Sequence, residues 1–238
     1  MAYRFVKLSI KLLGIALVLF VYGLLFFRMC SLDSLPDNLN DLVITDGMKL
    51  AYQKDGGDGF IYQRKDLFNT DKDSYGYFAV PSYVIVKGAD EIQVVFRYNI
   101  STLEKVAEEF DLPEVPDRNT ADLFDLTLTL KHSVNDIKNT EEGEETIDYD
   151  APENHYLTLI KPDSVEFFTD GKHNFVRCIF KNVGFDETNT LGVFLNVYYR
   201  DSVNYEETPY ATVRLYHYTT TNKTYPLTKN DKKALAAE

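Results

Sequence analysis

The sequence predicts a mainly β protein in which an N-terminal transmembrane helix precedes an antiparallel β-sandwich, immunoglobulin-like or jelly-roll-like, with one amphipathic helix. Three observations carry that expectation. An uncharged apolar run stands near the start of the chain. Period-two alternation recurs through the remainder. Aromatic content of 14% comes entirely from Tyr and Phe, residues that favour strands. At 238 residues and 45% hydrophobic composition, the chain suffices for one core or two small ones.

The apolar run, Leu12 to Phe27, reads LLGIALVLFVYGLLFF, sixteen residues without a charge. At about 1.5 Å per residue it reaches roughly 24 Å; counting Ile10 to Met29, with Lys11 and Arg28 snorkelling to the headgroups, extends it to about 30 Å, a bilayer core. Twelve of the sixteen are Leu, Ile, Val or Phe. Their summed insertion energy of about −4 to −7 kcal/mol exceeds the edge cost of Lys11, itself below the central ~3 kcal/mol. No small-x-small cleavage site follows Phe26-Phe27-Arg28-Met29, and large residues precede Cys30, so neither a cleaved signal peptide nor a lipoprotein fits. Arg4, Lys7 and Lys11 lie before the run, whereas Asp33, Asp37 and Asp41 lie after it, which predicts a cytoplasmic N-terminus. The expected organisation is a cytoplasmic tail at 1–11, an anchor at 12–29, a linker at 30–46, an extracytoplasmic domain at 47–228 and a disordered tail at 229–238. The domain is either one body or two lobes, 47–118 and 119–228.

Ser31 to Asp46, polar and interrupted by Pro36, reads as a stalk. Four segments alternate cleanly and predict strands: Glu91–Tyr98, Asp125–His132, Leu191–Arg200 and Ala211–Tyr218. Weaker strands are expected at Met48–Gln53, Phe60–Gln63, Tyr75–Val80, Tyr83–Val86, Tyr156–Ile160, Val165–Phe168 and Phe175–Val183. Turn chemistry separates them at Asp55–Gly59, Lys87–Asp90 and Asp170-Gly171, the last being the best hairpin signal. Ser101 and Glu104 read as a capping box for a helix carrying Leu103, Val106, Ala107 and Phe110, closed by Leu112-Pro113. Six or seven strands between Asp122 and Leu227 suggest a sandwich without the paired Cys and Trp of immunoglobulin domains.

Charge and motifs exclude more than they select. The first thirty residues hold four basic residues and no acid, so the remainder carries 21 basic and 37 acidic residues, a net of −16. Such a domain repels phosphate, and nucleic-acid binding is not expected. Two cysteines, Cys30 and Cys178, make no disulfide framework, and Cys178 alternates with Val176 and Phe180 as a core residue. The acidic stretch from Asn135 to Asn154 matches no EF-hand spacing and reads as a solvated loop rather than a calcium site. The histidines 132, 155, 173 and 217 are scattered; His132 and His217 end strands and read as surface imidazoles. No nucleophile elbow, phosphate loop or zinc motif is present, so no catalytic residue, metal or cofactor is assigned.

Tyrosines crowd the last strands, and Tyr198, Tyr205, Tyr210, Tyr216 and Tyr218 form the candidate interaction surface. The expected function is a non-catalytic interaction module, anchored in the cell membrane by residues 12–29, with a protein or glycan partner outside the cytoplasm. Two alternatives are an extracytoplasmic hydrolase using paired carboxylates and an accessory subunit of a membrane complex. The first requires a cleft with one carboxyl of raised pKa. The second has little support from Gly14, Ala16 and Gly23, which make no small-xxx-small pair.

Overall fold

A computed structural model describes residues 11, 13–25, 42–56, 60–63, 67–68, 79–118, 123–137, 147–171, 173–200, 209–219, 227 and 229–237. The chain divides into two units, Met1–Asp37 and Asn38–Glu238. In the first, residues 13–25 are helical, and their large apolar side chains, from Leu13 to Leu25, are exposed on successive faces. Among the described residues no helix is long and apolar enough to cross a membrane. That described run reaches about 20 Å, and both ends of the predicted anchor lie outside the described residues.

The second unit is built on two antiparallel sheets. In chain order its elements are α1 (Asp46–Asp55), β1 (Phe60–Gln63), β2 (Leu67–Phe68), β3 (Ala79–Val86), β4 (Glu91–Asn99), α2 (Ile100–Glu109), β5 (Phe124–Ser133), β6 (His155–Ile160), β7 (Ser164–Asp170), β8 (His173–Lys181), β9 (Thr190–Tyr199), β10 (Ala211–His217) and α3 (Lys229–Leu235). The first sheet runs β1-β3-β4-β8-β7, with β2 also on β3, and the second runs β10-β9-β5-β6. Hairpins stay within a sheet, and the chain changes sheets through α2, through residues 161–163 and through residues 182–189. Because β3 and β4 join β8, the segments before and after residue 119 share one sandwich.

Alternation decides which side chains meet. Val94 lies opposite Cys178 and Phe96 opposite Val176 on one inner face; Leu128 lies opposite Leu195 on the other. All belong to one buried cluster with Leu103 and Val106 of α2, which closes an end of the sandwich. Each such apolar side chain contributes about 1.5–3 kcal/mol by leaving water. Rings tighten that end: Phe124 meets Tyr98 edge-on at 4.9 Å, and Phe110 of the turn after α2 stacks on Tyr199 at 5.4 Å.

Several expectations need correcting. Met48–Gln53 is not a strand but the body of α1, capped by Thr45, whose hydroxyl accepts the Met48 N–H at 3.2 Å, and closed by Gly56 at φ +63°. Met48 packs with Val84, Val86, Leu227 and Leu235 on the outer face of β3, so the C-terminal residues expected to be disordered form α3 and bury Leu235. Among the described residues the domain therefore has three α-helices rather than one. Tyr83–Val86 and residues 79–80 belong to a single strand, split in the sequence reading by Pro81; the register with β4 shifts across that residue because Pro has no N–H to give the ladder. The α2 capping box is Asn99 with Thr102 rather than Ser101 with Glu104.

The outer face of β4 carries buried polar groups. Glu91, 2% exposed, accepts from Thr45 Oγ1 and from Gln93 Nε2, both at 2.8 Å. Gln93 also pairs with the Val43 backbone, donating to its carbonyl at 2.7 Å and accepting its N–H at 3.2 Å. An amide side chain thereby acts as a strand edge for residues 42–45, satisfying groups whose burial would otherwise cost about 1–3 kcal/mol each.

Candidate functional site

The sandwich has a gap along one side, and its cause is local. β6 pairs with β5 only from Leu128 to Ser133. Continuing the register would set Pro162 against Leu126; Pro cannot donate to a ladder, and the chain turns there to enter β7 in the other sheet. Phe124 to Thr127 consequently pair with β9 alone among the described residues. The Leu123 carbonyl accepts the Arg200 N–H at 3.1 Å, so the alternating backbone groups of Phe124 and Leu126 face away from β9, towards the gap.

The facing wall is β7, which among the described residues is an edge strand bonded to β8 alone. Val165 and Phe167 sit opposite Cys178 and Val176, on the core side, yet remain 42% and 39% exposed because among the described residues no strand of the second sheet covers them. The resulting groove encloses about 580 Å³ and is lined by Phe124, Leu126, Leu159, Val165, Phe167 and Tyr198. Leu159 is 60% exposed and Leu157 62%, which carries the apolar surface beyond the groove. Its polar end is the Arg200–Asp125 pair, with guanidinium Nε and Nη2 at 3.0 and 2.8 Å from Oδ1, together with Lys161. An unpaired, apolar strand edge of this kind is normally blunted or covered in a stable protein.

A second concavity, about 480 Å³, lies on the outer face of the second sheet. Lys131, Gly192, Phe194 and Arg214 form its floor on β5, β9 and β10. A Cβ at Gly192 would lie 2.8 Å from the Phe194 ring, so the ring edge occupies the space of a side chain at 192. Lys131 Nζ contacts Asp150 Oδ1 at 2.5 Å, and that hydrogen bond and charge hold the Asp150 carboxyl below its ordinary pKa. His217 Nδ1 meets Thr219 Oγ1 at 2.7 Å; partial burial, then Arg214, lower its pKa, with Asp150 opposing. Tyr149 and Tyr218 make an edge-to-face wall at 5.5 Å.

The predicted tyrosine surface is not one surface. Tyr198 lines the groove and Tyr218 the second pocket, but Tyr210 and Tyr216 are buried in the core and present nothing outward. Tyr205 lies outside the described residues. The sequence reading missed Leu159, Val165 and Phe167, although the apolar alternation of β7 beside a Pro-terminated β6 was a usable signal.

His132 is also corrected. It is 3% exposed, stacked on Tyr156 at 4.9 Å and within 3.5 Å of Thr190 Oγ1. Burial lowers its pKa, against the opposing pull of a hydrogen bond to Asn189 and the charge of Asp186. Cys178 is fully buried, and burial pushes its thiol up to about 12, the opposite of an activated nucleophile. The carboxyls of Glu108 and Asp150 are both exposed and both held below their ordinary pKa, by Lys105 and Lys131, whereas a general acid needs a raised value. Among the described residues no three His, Cys, Asp or Glu side chains gather as a metal site would require. Of the acidic loop, residues 138–146 lie outside the described residues. Comparison of the chain with protein-family models, curated proteins and solved structures finds no match.

Proposed function

We propose that this chain is a membrane-tethered, non-catalytic binding module whose groove takes an extended apolar segment of a protein partner outside the cytoplasm. The observation that carries the reading is the edge of β5 at Phe124–Thr127, which has no partner on that side among the described residues and faces Val165 and Phe167 of β7. A partner strand seated there would bond to the backbone of Phe124 and Leu126 and would complete the row that Pro162 interrupts. Alternate side chains would enter the apolar groove, as in recognition by strand addition. Residues 12–29 are the proposed bilayer anchor, with residues 1–11 cytoplasmic. The charge asymmetry around the uncharged run supports that orientation, and a helix whose exposed apolar residues fall on every face supports the anchor itself.

The test compares proteins recovered with the wild-type chain and with a Leu159→Asp/Phe167→Asp variant after mild detergent extraction of membranes. The expected result is a partner retained by the wild type and lost from the variant, while both chains resist alkaline extraction. A partner profile identical for the two, or a chain that washes off with carbonate, contradicts the reading.

A further inference from the structure

We propose that the pocket over Gly192 binds a sugar bearing a carboxylate, of the uronic-acid class, independently of the groove. Three kinds of group converge there. Arg214 lines the pocket, is exposed and has no carboxylate partner among the described residues, although the chain as a whole carries a net charge of −12. Its guanidinium fork matches a carboxylate, which it can hold by two parallel hydrogen bonds. His217, on the same strand three residues on, adds a second donor or acceptor.

The remaining walls distinguish a sugar from other anions. Asp148 and Asp150 line the pocket and offer acceptor oxygens, which suit hydroxyl donors and repel a ligand of several negative charges. Phe194, Tyr149 and Tyr218 supply ring surfaces against which the C–H face of a pyranose packs. An acidic peptide supplies charge without hydroxyls and meets Asp148 and Asp150 unfavourably; a neutral hexose leaves Arg214 without a counter-charge. One carboxylate on a hydroxyl-rich ring uses all three. The volume of about 480 Å³ falls in the range of small-ligand pockets.

The experiment uses the full chain in detergent micelles, titrated with glucuronic acid, glucose and a short glutamate peptide, and read by calorimetry and saturation-transfer NMR. Glucuronic acid is expected to bind at least about tenfold more tightly than glucose or the peptide. Arg214→Gln should abolish that preference, with glucose binding unchanged. Tyr218→Leu should weaken both sugars, and Lys105→Gln, on α2, should change neither. Absence of glucuronic acid binding, equal binding of glucuronic acid by the Arg214→Gln chain, or a glutamate peptide that binds as tightly overturns the assignment.

Discussion

The hydroxyl of Tyr83 on β3 donates to the carbonyl of Leu215 on β10 at 2.5 Å, tying the two sheets together through the core. The two residues are 132 positions apart in sequence, and burial raises the Tyr83 phenol far above its ordinary pKa, which favours the neutral donor. Most of the contact between the sheets is apolar and indifferent to exact placement; this bond specifies one arrangement. Tyr83→Phe leaves the Leu215 carbonyl without that donor while keeping the ring. It should lower unfolding stability by about 1–2 kcal/mol in urea titrations with an unchanged slope. Unaltered stability would show that the bond contributes nothing net.

The cap of α2 offers a sharper discrimination. Asn99 Oδ1 accepts the Thr102 N–H at 3.1 Å and Thr102 Oγ1 accepts the Asn99 N–H at 3.2 Å. Asn99→Ala should cost about 1 kcal/mol, whereas Ser101→Ala, at the residue that the sequence pattern favoured, should stay within about 0.5 kcal/mol. The reverse ranking in thermal denaturation would refute the observed cap.

Acid should destabilise the domain through His132. Its folded pKa lies below the ordinary value near 6.5, so the unfolded chain takes up the proton first. The stability associated with the neutral imidazole is complete above about pH 6.5 and declines as pH falls through that value towards the lowered folded one. Melting temperature should therefore drop between about pH 7.5 and 5, and His132→Gln should flatten that dependence. A residue of the slope will persist from His217, which shifts the same way. An equally steep profile in the variant would remove His132 from the account.

Cys178 should be silent in the native state. In a Cys30→Ser background, maleimide at neutral pH should label no thiol until denaturant is added, and then one. Its burial and its thiol pKa near 12 both demand this. Rapid native labelling would mean that the β4–β8 layer opens locally.

The C-terminal helix gives a fourth stability test. Leu235 is buried against Met48 and Val84, so Leu235→Ala should cost about 2–4 kcal/mol in denaturant titration. A loss below about 0.5 kcal/mol would mark α3 as peripheral.

Much of the sheet structure was legible because alternation reports burial directly. β4, β5, β9 and β10 emerge from clean period-two runs, and the Asp170-Gly171 turn, with Gly171 at φ +54°, joins β7 to β8 as expected. The failures came where two periods coincide. Met48, Leu50 and Tyr52 alternate like a strand, but Met48 and Ala51 also share a helical face, and Leu50 is 68% exposed. Thr45 before the run and Gly56 after it were the helix signals that decide the matter. His132 was misjudged for a simpler reason: it continues the parity of Leu126, Leu128 and Leu130, and parity places it inside.

The functional surfaces were harder to read, again for physical reasons. Aromatic composition does not separate a core tyrosine from a binding one, and Tyr210 and Tyr216 fall on the buried side. The groove depends on which strands lie at the sheet edges, a property of topology that single-strand patterns do not encode. Only Pro162, a residue that cannot extend β6, announced the gap in advance.

Site-specific photo-crosslinking in intact cells tests the central claim most directly, with the reactive side chain placed at 159 in the groove or at 105 on α2. The account predicts a discrete adduct from position 159 whose partner segment, mapped by mass spectrometry, alternates apolar residues, and no adduct from position 105. Adducts of the same identity and yield from both positions, or none from 159, would contradict it.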